Sequence, residues 1–349
     1  MRSAVVLLIV AGCGVAGAPP SSKPELGRLA IKNADPSVIR VGATYLSAES
    51  DGARLYVRKA SSVSALASAT RRLVWSNPDD LPDVWAPELI HDGGTYYLYF
   101  SAGADRDHRM YYVRSQTADS GYSAAAELEL PSDKWAIDGT MFVYLGQRYF
   151  VWSGWAGNTN GEQTLYLAEM SSPTAVTGAR FVISQPREAW EQADDAPPTR
   201  VNEGPEAIID PAGQLHIVYS ANGSWDVNYC LADLRLTDGG DPTFVWDWFK
   251  SNGCLFGANG DLLMDGWDPT LHAKGVGHHS FVLLDGDPNT SPPAGQRFPL
   301  AYHGVPIADD PENFWEDRYW YAGTFQWWGD ITYARGAEHD TGWSLKFFE

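Results

Sequence analysis

Five polar side chains recur at comparable places along the chain. Asp35 lies in "ADPSVI", Glu88 in "WAPELI" three residues after Trp85, Asp138 in "IDGTMF", Glu203 in "NEGPEAI" and His278 in "GVGHHSF". Carboxyl groups are the natural acid–base pair: one held protonated gives its proton to a departing oxygen, while another held ionised activates water or attacks directly. A third carboxylate nearby raises the pKa of the acid by like-charge repulsion and orients it. Taken singly, each group has a plainer explanation. Aspartate before proline starts turns, and Asp138 could be a turn residue too. Glu203 resists that account, because glutamate is a poor turn former and Gly204 and Pro205 fix the backbone around it. Glu206, three residues on, would face the other way on a regular strand and is the weaker acid. His278 and His279 are adjacent, so only one of them can point to a given side.

These groups need elements that bring them together. The chain repeats a unit of strand, tight glycine-containing turn and aromatic-rich strand: "ELIHDGGTYYLYFSAG", "TMFVYLGQRYFVWSGW" and "EAIIDPAGQLHIVYSANG". A further short strand follows each one, and weaker copies begin at "PSVIRVGATYLSAES" and "HSFVLLDGD". Helical periodicity is nearly absent, "SSVSALASATRRL" being the only fair candidate. Short strands with period-2 alternation leave sandwich, barrel or propeller, and a unit repeated five times selects an all-β, five-bladed β-propeller. In a propeller the first strand of each blade lines the central channel, so Asp35, Glu88, Asp138, Glu203 and His278 should converge on one mouth. Two carboxylates across such a cleft are the apparatus of glycoside hydrolysis. Trp85 and Trp155 are candidate stacking platforms for a sugar.

Composition agrees and excludes. Of 349 residues 44% are hydrophobic, and 15 tryptophans and 17 tyrosines supply flat, partly polar rings. A formal charge of −19 argues against nucleic acid, whose phosphates are bound through excess lysine and arginine. Residues 1–18 read as a secretory signal: Arg2, an apolar run from Ala4 to Val10, then small residues, with cleavage after Ala16 fitting best. "VAGC" also resembles a lipobox, with Cys13 as an alternative lipid-anchored residue. No later stretch is apolar enough to span a membrane. Residues 19–349 are then one catalytic domain, and a propeller of this size can work as a monomer. Cys230 and Cys254, the two cysteines left in the mature chain, are expected to pair in an oxidising compartment. No cysteine and histidine spacing suggests zinc, and no glycine-rich loop suggests a phosphate or dinucleotide site.

In this order, "ADPSVI", "WAPEL" with "GTYYLYFSAG", "IDGTMF", "NEGPEAI" and "GVGHHSF" resemble glycoside hydrolase family 43 over almost the whole mature chain, and within it the exo-acting α-L-arabinofuranosidases. The resemblance implies inversion of configuration, with Asp35 as general base, Glu203 as general acid and Asp138 as pKa modulator and orienter. It implies a substrate-facing role for Trp85, an arabinose-containing polysaccharide or oligosaccharide as partner, and no cofactor for the chemistry. It also implies that His278 touches a channel calcium or sodium ion through waters, although "GVGHHS" replaces the commoner "GPGH". Rival readings are β-xylosidase, exo-galactanase or endo-arabinanase on the same scaffold, and a non-catalytic glycan-binding propeller.

Overall fold

The computed structural model describes residues 26–311 and 313–349; the signal at 1–18 and Cys13 lie outside the described residues. Five antiparallel sheets follow one another along the chain, one per sequence repeat. Their inner strands are Ser37–Val41, Trp85–Asp92, Ala136–Tyr144, Asn202–Ile209 and Ala273–Phe281. The protein is a five-bladed β-propeller, and its only helical turns among the described residues are short 3-10 segments. "SSVSALASATRRL" contributes one of these, at Ser64–Ser68.

The aromatic strands alternate for a specific reason. A blade is sandwiched between two neighbours, so both of its faces are buried. In the second strand of blade two, Leu98 and Phe100 pack towards blade one. Tyr97 and Tyr99, on the opposite face, pack towards blade three. The core is accordingly divided into five large clusters, one at each blade interface. Each fully buried large apolar side chain in them contributes on the order of 1.5–3 kcal/mol.

The ring closes through the chain's beginning. Gly27 and Arg28 pair with Ala322 and Tyr321 in blade five, and the Leu29 and Trp320 backbones continue the contact. The Trp320 indole N–H then donates to the Ala34 carbonyl at 2.8 Å. Closure thereby fixes the residue immediately before Asp35. In blade four Cys230 and Cys254 form a disulfide. Among the described residues no helix is long and apolar enough to cross a membrane.

Candidate active site

The recurring polar groups owe their placement to a backbone irregularity that also recurs. Asp35, Ala86, Asp138, Gly204 and His278 all have positive φ, between 41° and 56°. In blades two to five the pairing register slips at this point: between Trp85 and Glu88, Ile137 and Thr140, Glu203 and Glu206, and Gly277 and Ser280. A left-handed residue combined with a bulge re-aims side chains and takes an N–H out of the ladder. The N–H groups of three of these left-handed residues reach the preceding blade. Asp35 N–H donates to His303 Nδ1 at 3.0 Å, Gly204 N–H to Asp138 Oδ2 at 3.0 Å, and His278 N–H to Ser220 Oγ at 2.7 Å. Aspartate tolerates this conformation and glycine is at ease in it, which accounts for those residue types.

The bulge sorts the mouth into layers. Asp35, Asp138 and His278 occupy the left-handed position itself, and Trp85 and Glu203 the residue before it. Two residues further along stand Ser37, Glu88, Thr140, Glu206 and Ser280. This deeper layer stitches the blades together: Ser37 Oγ accepts the Leu89 N–H, Ser280 Oγ the Val38 N–H and Glu206 Oε2 the Phe281 N–H. Glu206 therefore does not face away from the channel as an unbroken strand would require. The bulge restores it to the channel side, where it and Glu88 line a cavity of about 20 Å³, room for about one water. Burial, with Glu88 adding repulsion, raises its pKa well above the ordinary carboxyl value.

His278 ties the layers together. Its Nδ1 lies 3.3 Å from Asp35 Oδ1 and 3.8 Å from Asp138 Oδ2, and its Nε2 lies 3.3 Å from Glu88 Oε1. Burial disfavours its charge, but Asp35, Asp138 and Glu88 overcome that and push its pKa up to about 10. His279 points into the protein instead, where burial and the neighbouring His278 push it down to about 3. Both nitrogens of His278 already face carboxylates, and no three His, Cys, Asp or Glu side chains among the described residues form a metal-binding group. A cation ligated directly by His278 does not fit this donor set.

The three carboxyls sit in different electrostatic surroundings. Asp35 keeps 23% of its side chain exposed. Burial opposes its ionisation, yet His278 and the Arg318 guanidinium, 4.0 Å away, hold its carboxyl well below the usual range. His303 beside it is neutral: its Nδ1 accepts the Asp35 N–H, and burial with Arg318 pushes it down to about 4. Asp138 and Glu203 are almost wholly buried. Burial raises both, to about 8 for Asp138, where Glu203 and Asp35 add repulsion against the pull of His278. The two titrate as a pair that retains a proton while Asp35 is ionised. Tyr229 O–H donates to Glu203 Oε1 at 2.8 Å.

Trp85 is 42% exposed, with one face stacked on His108 at 4.1 Å. Trp155 is only 6% exposed and stacks on Trp135 at 4.5 Å, behind the surface. Glu88 is buried one layer below the mouth, facing His278. Sequence reasoning missed Tyr229, His303 and Arg318, which stand on second strands and loops outside the repeated motif. Their one sequence signal is modest: Tyr229 precedes a cysteine already expected to pair.

The chain is 28% identical over 348 residues to a Streptomyces avermitilis protein named extracellular exo-alpha-(1->5)-L-arabinofuranosidase, covering 88% of this chain and 69% of that one. A Streptomyces chartreusis protein of the same name is 28% identical over 284 residues, covering 78% and 82%. Among solved structures, an alpha-L-arabinofuranosidase from Lactobacillus brevis superposes with a TM-score of 0.71 at 25% identity, covering 86% of this chain and 92% of that one. Residues 29–289, which hold all five mouth motifs, match the family described as "Glycosyl hydrolases family 43", and the chain belongs to that family of glycoside hydrolases.

Proposed function

We propose that this hydrolase removes terminal α-L-arabinofuranosyl residues from arabinan or arabinose-substituted plant cell-wall polysaccharides, with inversion. The observation that carries the reading is the opposed environment of the carboxyls: Asp35 partly open beside His278 and Arg318, which favour its anion, and Glu203 and Asp138 almost wholly buried, which favours their protonated forms. Such a pair of groups with separated pKa values assigns base and acid. The relatives' names support arabinofuranose as the sugar.

Asp35 accepts a proton from water as the water oxygen bonds to the anomeric carbon. The glycosidic C–O bond breaks, its electron pair goes to the leaving oxygen, and Glu203 protonates that oxygen. Asp138 keeps the acid protonated before the event and orients it through the Gly204 N–H that both segments share. Trp85 offers its free face to the sugar. Inversion needs space for a water between base and acid, roughly 6.5–9.5 Å. No cofactor enters the chemistry. The relatives named extracellular and the apolar leader together support export of the enzyme.

The test follows anomeric proton signals by NMR during hydrolysis of a linear α-1,5-linked arabino-oligosaccharide, with Glu203→Ala as control. First release of β-arabinofuranose, absent in the variant, is expected. First release of the α anomer overturns the roles of Asp35 and Glu203; no release directs attention to xylo- and galacto-oligosaccharides.

A further inference from the structure

Tyr229 is built into the site with more care than a core tyrosine needs. It is wholly buried, and its hydroxyl donates to Glu203 Oε1 at 2.8 Å. Its ring lies nearly parallel to that of His303, at 5.7 Å and 13°. The next residue, Cys230, is held by the disulfide to Cys254. Most telling is Gly277, which occupies in blade five the position that bears Trp85 in blade two and Glu203 in blade four. A Cβ there would lie 2.0 Å from Tyr229 Cε1. Blade five thus forgoes a mouth side chain, and the ring of Tyr229 occupies that space.

We propose that Tyr229 is a positioning residue for the general acid: its phenol holds Oε1 of Glu203, so that the transferable proton resides on the other carboxyl oxygen, and its hydrogen bond strengthens as Glu203 becomes a carboxylate. This rests on the reading of Glu203 as the acid. Hydrogen bonds to ionised acceptors are roughly twice as strong as neutral ones, so the contact favours the state in which the proton has left. It contributes to the transition state more than to the bound substrate. Burial keeps the phenol itself un-ionised, and so a donor, throughout the working range. Burial and Asp35 favour the neutral form of Glu203, His278 and Arg318 favour its anion, and Glu203 in turn raises the neighbouring Asp138.

Tyr229→Phe keeps the ring and removes the donor. On an arabino-oligosaccharide, a poor leaving group, kcat should fall about 10- to 100-fold with little change in KM. On an activated aryl arabinofuranoside the loss should be much smaller. The alkaline limb of the pH–rate profile should move to higher pH, because an interaction that favours the Glu203 anion is gone. In a Glu203→Gln background the same change should cost nothing further, whereas a merely structural role would add its cost again. Equal losses on the two substrates, an unmoved alkaline limb or additive losses would overturn the proposal. Glu203→Gln alone separates the two readings. If it does not discriminate between leaving groups, the acid assignment fails; if it does and Tyr229→Phe does not, only the role of Tyr229 fails. Gly277→Ala, whose methyl group would displace the ring, should reproduce the leaving-group bias, and a uniform loss in that variant would also overturn it.

Discussion

Replacing His278 by asparagine removes the cation that faces Asp35, Asp138 and Glu88 together. Asparagine is among the few residues that accept a left-handed backbone, here φ 41°, and its amide can still donate towards Asp35. What disappears is the positive charge and the contact with Glu88. At an effective dielectric of about 20, a unit pair at the 3.3 Å separating His278 from Asp35 is worth at most roughly 5 kcal/mol. The pKa gives a similar ceiling. Its rise from 6.5 to about 10 corresponds to roughly 5 kcal/mol at ~1.4 kcal/mol per tenfold change in proton affinity. Glu88, already raised by burial, can take up a proton when its partner is lost. The net cost should therefore lie nearer ~3 kcal/mol, at the low end of what removing one member of a buried ion pair costs.

The pH dependence has a definite sign. A histidine whose folded pKa is raised stabilises the fold fully below its unfolded value near 6.5, and loses that contribution as pH climbs to about 10. Denaturant unfolding of both proteins should therefore give the largest stability difference near pH 6 and a much smaller one at pH 10. In activity, loss of the cation raises the pKa of Asp35, so the acid limb of the rate profile should move to higher pH. A stability difference that is the same at both pH values, or an acid limb that stays in place, would refute the account of His278 as a buried imidazolium.

Three further perturbations follow from the same geometry. Asp138→Asn removes the carboxyl that titrates together with Glu203, while its amide oxygen can still accept the Gly204 N–H. The alkaline limb should move to lower pH, opposite to Tyr229→Phe, and a shift the other way would contradict the modulating role. Trp85→Ala removes a half-exposed indole that faces the mouth, so KM should rise about 5- to 10-fold with kcat nearly preserved; steady-state kinetics giving the reverse split would place Trp85 in the chemistry. Replacing both Cys230 and Cys254 by alanine opens a link across 24 residues and should cost about 3 kcal/mol of stability in urea unfolding, whereas an unchanged midpoint would show that the bond is structurally idle.

The propeller was legible because its physics is local and repeated. A blade needs a short turn, an alternating strand packed on both faces, and the same again, so five copies of "strand, glycine turn, aromatic strand" carried the blade count. The mouth residues were legible for the same reason, since they occur at one phase of that repeat. What the strand rule misjudged was Glu206. Period-2 alternation holds only for an unbroken ladder, and the slip between Glu203 and Glu206 restores both residues to the channel side. The signal for that slip was present in "NEGPEAI", where Gly204 takes φ 54° and Pro205 offers no N–H to the ladder.

Tyr229, His303 and Arg318 were hidden for a different reason. None stands at the repeated phase: Arg318 and His303 of blade five lie against Asp35 of blade one, and Tyr229 meets Glu203 from the loop that precedes the third strand of the same blade. Their positions follow from how the ring closes and how side chains fill the funnel, which no repeat phase encodes. The acids can be found by motif, but their protonation states depend on these partners. Asp35 is held low because His278 and Arg318 outweigh its desolvation, whereas burial, with repulsion from Asp35, raises Glu203 against the pull of Tyr229 and His278. Under the roles proposed above, the division of labour between base and acid is thus a property of the assembled mouth, and a chain carrying the same motifs with a shifted final blade would hold the residues without the separation of environments on which those roles depend.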